Sequence, residues 1–351
     1  VRRCGKSTLL AQMLKRNRFY YLNLEDPRLE GLELKDLTNA EKIFREYGGG
    51  GVFFFDEVQN IPNWEKFIRY LVDKKERVVI TGSNASLLSR ELGTRLTGRH
   101  LRTELFPFSY NEFLSFKKLK PSRASFEKYL ERGGFPEFLK EEDTAVHHEL
   151  LNDVVARDIA IRFGLRNIAV LKKMATYLLS QVGKKFSHNA LKKTFQIKSV
   201  QSVIDYMSYF EDSYLLFTVP VFSYSYKKQQ VNPKKVYSID NGLSYSNSVS
   251  FSRDKGRMLE NIVFLELRRK FGEIFYYAGE GECDFIVKDG KLQAIQVCYE
   301  LNDENEKREI NGLMEAMKEL NIKEGVLLTL NQEDEIDGIK IKPVWKWLVE
   351  R

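Results

Sequence analysis

Two short segments of the sequence contain residue types that suit triphosphate chemistry. The first is Gly5-Lys6-Ser7-Thr8, which runs into an apolar stretch with helical spacing. A glycine lets the backbone approach a phosphate, the lysine reaches the terminal phosphates, Ser7 offers a hydroxyl to Mg²⁺, and the start of a helix favours anions. These residues form the second half of the pattern G-x-x-x-x-G-K-[ST]. The first glycine of that pattern would precede Val1, so we expect the chain to be truncated at this end.

The second segment is an apolar run that ends in two carboxylates. Residues 52–55 read Val-Phe-Phe-Phe and are followed by Asp56 and Glu57. Such a run is typical of a strand that is buried on both faces of a parallel sheet. At its end we expect Asp56 to hold Mg²⁺, mostly through water, and Glu57 to polarise the attacking water. A buried strand with an exposed acidic turn is the simpler alternative, but the presence of both segments in one chain favours an ATP site.

Other polar residues follow the next apolar strand. Residues 78–80 are predicted to form that strand, and Ser83 or Asn84 at its end could orient the water or contact the γ-phosphate. Arg95 and Arg99 come next, and either could act as an arginine finger on the transferring phosphate. For each arginine, an ordinary ion pair on the surface is the alternative.

These residues need a scaffold of alternating strands and helices. Residues 19–24 predict a strand, and residues 64–72 have the apolar periodicity of a helix. Together with the strands at 52–55 and 78–80, they predict an α/β fold with a parallel sheet.

The order of the motifs resembles the archaeal and bacterial AAA-type ATPases. The motifs that carry the resemblance are, in chain order, GKST, FYYLNLEDPRL, VFFFDEVQN, VVITGSN, TRLTGRH and LFPFSYNEFL. The resemblance continues through Gly133-Gly134-Phe135-Pro136 and Arg157-Asp158-Ile159. It implies a RecA-like P-loop ATPase core that uses ATP and Mg²⁺, with the catalytic acid next to the metal-holding one. It also implies a winged helix-turn-helix module and a small domain like the PD-(D/E)xK nucleases. The expected domains are residues 1–115, a helical connector 116–164, the winged module 165–248 and the nuclease-like domain 249–351.

The expected winged module is also the basic part of the chain. Residues 165–245 contain twelve Lys or Arg against four Asp or Glu, whereas the whole chain has a net charge of +7. Three helices followed by a hairpin predict the winged arrangement, with the helices at 169–182, 188–195 and 199–210 and the strands at 215–222 and 235–239. Lysines flank its second helix and occupy the expected wing tip, where they could neutralise DNA phosphates without reading sequence: Lys184, Lys185, Lys192, Lys193, Lys227, Lys228, Lys234 and Lys235. An ATPase lid or a protein-docking surface is the alternative.

The C-terminal segment matches the nuclease pattern only in part. Its predicted order is helix, three strands, helix, strand, and the resemblance implies a metal site at Glu260 and Asp284. The remaining acid and lysine of that pattern fall on Gln296 and Cys298. Two carboxylates would bind Mg²⁺ weakly, and the loss of the lysine removes charge stabilisation. We therefore expect a degenerate site, with an active Mg²⁺-dependent nuclease as the alternative.

Composition narrows the class of protein. The chain has 351 residues, of which 43% are hydrophobic and 30% charged, so we expect a globular protein of several domains. Three widely separated cysteines argue against a disulfide framework or a zinc site and favour a cytoplasmic location. No apolar run is long enough to span a membrane. We expect an ATP hydrolase in which the nucleotide state controls a module that acts on DNA, and we expect it to form a homo-oligomer. One alternative is a nucleotide-gated switch that binds DNA or protein with little turnover. The other is a Mg²⁺-dependent nuclease.

Overall fold

The structure is a computed structural model that describes residues 2–14, 18–47, 51–83, 100–249 and 254–350. The chain forms two compact units, Val1–Leu105 and Phe106–Arg351. The first unit holds the predicted ATPase core. The helical connector, the basic block and the nuclease-like block, predicted as three domains, belong to one compact unit.

A three-stranded parallel sheet organises the first unit. Its strands are β1 (Phe19–Asn23), β2 (Val52–Asp56) and β3 (Arg77–Ile80), in the spatial order β1-β2-β3. In the part of this unit that the structure describes, the α-helices that connect or flank them are α1 (Lys6–Leu14), α2 (Leu34–Glu46) and α3 (Trp64–Asp73). The predicted strands and the helix at 64–72 are confirmed with small changes of boundary, and the parallel pairing places the carboxyl ends of the strands at one edge.

The central strand β2 is buried on both faces, as its continuous apolar run predicts. Phe53 and Phe55 point into a cluster with Phe67, Ile68 and other residues of α3. The alternate residues Val52 and Phe54 pack with Leu10 of α1 and Val79 of β3. Because strand side chains alternate between faces, helices cover both sides and leave only the carboxyl end of β2 for polar groups.

The second unit begins with a set of short helices: α4 (Tyr110–Lys117), α5 (Arg123–Arg132), α6 (Pro136–Glu141) and α7 (Ala145–Asp153), which continues as a π-helical stretch Val154–Ile161. Gly133 and Gly134 lie at the break between α5 and α6. Gly133 has a positive φ of 71°, and a Cβ there would lie 2.1 Å from Asp240 Oδ1. The Gly134 N–H donates to Asp240 Oδ2 at 2.6 Å, so this buried carboxylate holds the turn in place.

The basic block folds as three helices and a small antiparallel sheet. The helices are α8 (Ile168–Leu179), α9 (His188–Thr194) and α10 (Val200–Asp212). Ser187 caps α9, and Ser199 caps α10. The strands are β4 (Lys185–Phe186), β5 (Leu216–Val219) and β6 (Lys234–Ser238), in the order β4-β6-β5. The predicted antiparallel pair is present as β5 and β6. The expected wing tip instead contains a short helix, α11 (Tyr226–Val231), because Ser225 caps its first turn.

The C-terminal part contains a mixed six-stranded sheet. After α12 (Asn241–Asn247) come α13 (Lys255–Lys270), β7 (Ile274–Ala278), β8 (Glu282–Asp289), β9 (Lys291–Val297), α14 (Glu306–Glu319) and β10 (Gly325–Thr329), in the predicted order of helix, three strands, helix and strand. Three further elements were not predicted: β11 (Asp334–Ile336), β12 (Ile339–Pro343) and α15 (Val344–Val349). The strand order is β11-β12-β10-β9-β8-β7.

Among the described residues, the helices are all too short or too polar to cross a membrane.

The contact between Gly133 and Asp240 makes a prediction for stability. Gly133→Ala should lower the free energy of unfolding of the second unit by roughly 3 kcal/mol, because a side chain there combines backbone strain with overpacking. Gly164→Ala is the matched control: Gly164 also has a positive φ, 63°, but its Cβ would meet no atom within 4 Å. The control should cost only about 1 kcal/mol. Urea unfolding measures both, and equal losses would contradict the proposed steric cause.

Candidate active site

The carboxylate of Asp56 lies at the carboxyl end of β2, where three hydroxyl groups donate to it. Ser7 Oγ donates to Asp56 Oδ2 at 2.7 Å, and Tyr21 Oη donates to the same oxygen at 3.1 Å. Thr81 Oγ1 donates to Asp56 Oδ1. Asp56 is 3% exposed, so the hydroxyls replace the water that its carboxylate would otherwise bind. The residue pair predicted to hold Mg²⁺, Ser7 and Asp56, is therefore in direct contact.

Glu57 directly follows Asp56 and contacts the lysine of the first motif. Lys6 Nζ lies 3.4 Å from Glu57 Oε1, and both side chains are 14% exposed. The other carboxylate oxygen accepts from Gln59 Nε2 at 2.6 Å. Glu57 has a left-handed backbone with φ of 53°, and its N–H donates to Thr81 Oγ1 at 3.0 Å. Thr81 thus bridges the two acids and fixes the direction in which Glu57 leaves the strand.

The remaining predicted residues of this site fall into two groups. Gly5 has φ of 92°, and its carbonyl accepts a hydrogen bond from Leu9 N, so it lies at the start of the first turn of α1. Thr8, in the same turn, is exposed. Ser83 is buried, and its Oγ lies 3.5 Å from Gln59 Nε2. Three other candidates lie outside the described residues: Asn84, Arg95 and Arg99. We call the first-unit residues around this carboxylate the Asp56 cluster: Lys6, Ser7, Tyr21, Asp56, Glu57, Gln59, Thr81 and Ser83.

Sequence reasoning missed three members of the cluster. Thr81 directly follows β3, and only the β2–β3 register brings it beside Asp56. Tyr21 lies on β1 and packs against Phe54, with the ring centroids 5.0 Å apart. Burial and the charge of Asp56 raise the pKa of Tyr21 to about 12, so its hydroxyl stays protonated and donates. For Gln59, the only signal in the sequence is that it is a polar residue two positions after Glu57.

The lysines predicted to contact DNA are not equivalent in the structure. Five of them are exposed: Lys184, Lys185, Lys193, Lys227 and Lys228. Two are partly buried: Lys192 and Lys234. Lys185 Nζ is also paired with Glu282 Oε2 at 2.6 Å. The prediction for Lys235 is wrong, because this side chain is 1% exposed and turned into the protein. A residue in a strand alternates faces with its neighbour, so adjacent lysines of β6 have opposite environments.

Glu260 and Asp284 lie close together, as the resemblance implied, but a cation of the protein separates them. Lys235 Nζ is 3.1 Å from Glu260 Oε1 and 2.7 Å from Asp284 Oδ1. Among the residues that the structure describes, no group of three or more His, Cys, Asp or Glu side chains is arranged to hold a metal. The predicted Mg²⁺ site at Glu260 and Asp284 is therefore corrected: an ammonium group occupies the position between the two acids.

Family models match two parts of the chain. An AAA domain matches residues 1–114, which include the Asp56 cluster. A domain of unknown function (DUF8612) matches residues 123–251, which include the basic block. The first match supports an AAA-type P-loop domain at the N-terminus.

Three uncharacterized proteins resemble the chain over nearly its whole length. One from Methanocaldococcus jannaschii is 37% identical, and the match covers 99% of this chain and 86% of the relative. One from Haemophilus influenzae is 28% identical over 100% of this chain and 93% of the relative. A second M. jannaschii protein is 21% identical over 99% of this chain and 82% of the relative. Both units are thus found together in bacterial and archaeal proteins.

The role of Thr81 in the cluster can be tested by stability alone. Thr81→Val should destabilise the first unit by about 2 kcal/mol, because the buried Asp56 carboxylate loses a donor and the Glu57 N–H loses its acceptor. Thr81→Ser is the matched control and should retain most of the stability. Hydrogen exchange of the β2 amides measures the local effect. Equal protection in the two variants would mean that the hydroxyl has no such role.

Proposed function

Because the chain belongs to the same family as the 37%-identical M. jannaschii protein and carries an AAA domain at its N-terminus, we propose that it hydrolyses ATP at the Asp56 cluster. The observation that carries this proposal is the contact between the two motifs. Ser7 lies 2.7 Å from Asp56, and Lys6 lies 3.4 Å from Glu57, although about 50 residues separate the motifs in sequence. A lysine, a hydroxyl and two carboxylates at one sheet edge are the groups that this chemistry uses.

The residues of the cluster fit Mg²⁺ bound with the nucleotide. Hydroxyl and carboxylate oxygens are the ligands that Mg²⁺ prefers, and it usually retains several waters. Ser7 and Asp56 would hold the ion, directly or through those waters. When bound, Mg²⁺ neutralises charge on the phosphate oxygens. Three neutral hydroxyls surround Asp56 without cancelling its charge, so the carboxylate still favours a cation.

Glu57 is proposed as the residue that orients the attacking water. In the structure Lys6 is paired with it, and a triphosphate carries more negative charge than one carboxylate. The nucleotide would therefore draw the Lys6 ammonium away and leave Glu57 Oε1 for water. Gln59 would keep the other oxygen, Glu57 Oε2, in place through its 2.6 Å hydrogen bond. Gln59 is thus a positioning residue rather than a catalytic one.

A nucleotide-gated switch with little turnover is the second candidate. A protein that only binds ATP has no use for an acid that orients water. Two hydrogen bonds fix the orientation of Glu57 and so support this role. Its backbone N–H donates to Thr81 Oγ1, and one of its carboxylate oxygens accepts from Gln59 Nε2. This arrangement favours hydrolysis over the switch.

The ATPase proposal predicts separate effects for two substitutions in the cluster. Lys6→Ala should weaken ATP binding and turnover together, because the phosphates lose their cation. Glu57→Gln should leave ATP bound but lower kcat by about 10²–10⁴, the usual contribution of a general base. Lys66→Ala, on the exposed face of α3, is the control. Phosphate release and nucleotide binding are the measurements, and wild-type turnover in both test variants would refute the proposal.

We further propose that the basic block binds DNA. We propose a winged helix-turn-helix for it, and support comes from its three helices and the antiparallel pair of β5 and β6. The short helix α11 and the residues before it expose Tyr224 by 86% and Tyr226 by 74%, next to the exposed Lys227 and Lys228. Lysine ammonium groups and tyrosine hydroxyls both contact the phosphates of duplex DNA, so this segment favours a nucleic acid over an acidic protein. ATP hydrolysis would then act on a DNA-bound protein.

The DNA proposal predicts a change in salt dependence. Replacing Lys227 and Lys228 by Ala should weaken binding and reduce the slope of log Kobs against log salt by about 0.9 for each phosphate that a lysine no longer neutralises. The control replaces Lys288 and Lys291, which are also exposed but lie on the six-stranded sheet. Fluorescence anisotropy with duplex DNA at several salt concentrations measures the slope. No binding at low salt, or the same slope in all proteins, would contradict the proposal.

A further inference from the structure

The second unit contains a buried cluster of charges at Lys235, which we call the Lys235 cluster: Lys235, Glu260, Glu282, Asp284 and Arg257. It lies where the pattern of the nucleases would place a metal ion. The three carboxylates come from α13 and β8, whereas Lys235 comes from β6 of the other sheet. The residues that make the cluster are thus far apart in sequence and belong to two predicted domains.

The ammonium group of Lys235 uses all its hydrogen-bonding capacity on carboxylates. Its Nζ lies 2.7 Å from Asp284 Oδ1, 2.8 Å from Glu282 Oε1 and 3.1 Å from Glu260 Oε1. A lysine ammonium has three N–H donors, one for each of these oxygens. Burial would lower the pKa of Lys235, but Asp284 and the other surrounding acids raise it well above its usual value. Three carboxylate oxygens within 3.1 Å of this buried nitrogen stabilise its charged form.

The charges of the cluster are balanced when Lys185, which borders it, is counted with its members. Glu260 is also paired with Arg257 at 3.0 Å, and Glu282 with Lys185 at 2.6 Å. Three carboxylates thus face three cations of the protein. A divalent ion would add two positive charges and would have to displace Lys235, because metal–oxygen distances of about 2.1 Å leave no space for an ammonium among the same oxygens.

The other oxygens and side chains at this position are also engaged. Asp284 Oδ2 accepts from Val297 N at 3.0 Å, and Glu260 Oε1 accepts from Tyr237 Oη at 2.7 Å. Gln296, which replaces an acid of the nuclease pattern, accepts from Asp284 N through its Oε1 and donates to Glu309. Cys298, which replaces the pattern's lysine, donates to Glu300 O. The substituted positions thus have structural partners of their own.

The cluster lies at the junction of the two sheets of the second unit. Val221, just after β5, pairs with Tyr276 of β7, and Tyr276 Oη donates to Pro233 O at 2.6 Å. Gly183, before β4, has φ of 73° and its carbonyl accepts from Arg257 Nη1 at 2.6 Å. A Cβ on Gly183 would lie 2.8 Å from Glu260 Oε2. Backbone pairing and the charge cluster therefore join the same two sheets.

We propose that Lys235 is the resident cation of this cluster and replaces a catalytic metal, so that the cluster fastens the two sheets together and does not cleave DNA. Two consequences follow. The three-stranded and six-stranded sheets of the second unit move as one body during any nucleotide-driven change. The carboxylates also form a latent cation site that only the lysine keeps closed.

Metal binding by the full chain, without nucleotide, tests the proposal. Mn²⁺ is the probe, and its binding is measured by electron paramagnetic resonance. The wild type should bind no Mn²⁺ that depends on Glu282, and it should not cut duplex DNA with Mg²⁺ or Mn²⁺. Lys235→Ala should melt several degrees lower, gain one Mn²⁺ and recover part of its melting temperature with the ion. Adding Asp284→Asn to Lys235→Ala should remove that gain.

Several results would overturn the proposal. One is Mn²⁺ binding by the wild type that Glu282→Gln weakens tenfold or more; Glu282 is partly exposed at the rim, so this variant should fold. Another is metal-dependent DNA cleavage that the same variant abolishes. A third is a folded Lys235→Ala protein that gains no Mn²⁺. If Lys235→Ala does not fold, the two wild-type measurements still decide the matter.

Discussion

The buried carboxylate of Asp56 depends on hydroxyl donors from three different elements. Ser7 comes from the start of α1, Tyr21 from β1 and Thr81 from the end of β3. A carboxylate that is removed from water is stable only when other donors replace the water. The position of α1 relative to the sheet, and hence that of Lys6, follows from satisfying this one group. Parallel pairing of the strands makes this possible because it brings their carboxyl ends together.

The two acidic clusters of the protein satisfy their carboxylates in opposite ways. Around Asp56 the side-chain donors are neutral hydroxyls, which add no charge of their own. Around Glu260 and Asp284 the donors include the ammonium of Lys235, which offsets their charge and fills the space between them. Both arrangements avoid an unpaired buried charge, whose cost would be several kcal/mol. Only the first is proposed to bind an added metal ion, although both would look like acid pairs in sequence.

Local sequence signals predicted most of the elements but not the environment of every side chain. The apolar run at 52–55 and the serine cap at Ser187 depend on near neighbours, so strand β2 and helix α9 were predicted within a residue or two. Lys235 follows Lys234 in a basic segment and looks like a surface residue. Its burial depends on Glu260 and Asp284, which lie 25 and 49 residues away. Thr81 and Tyr21 were missed for the same reason, since strand register alone places them at Asp56.

Burial of Lys235 also changes how the basic block can contact an anion. Lys185 is opposite Lys235 in the β4–β6 register and pairs with Glu282 at the rim of the same cluster. A phosphate at Lys185 would have to compete with that carboxylate, whereas Lys227 and Lys228 lie on an exposed helix with tyrosines beside them. The charge excess of the block is thus divided between two roles. Lys185 and Lys235 pair with acids of the six-stranded sheet, whereas Lys227 and Lys228 on α11 are exposed, as the proposed contact with phosphates requires.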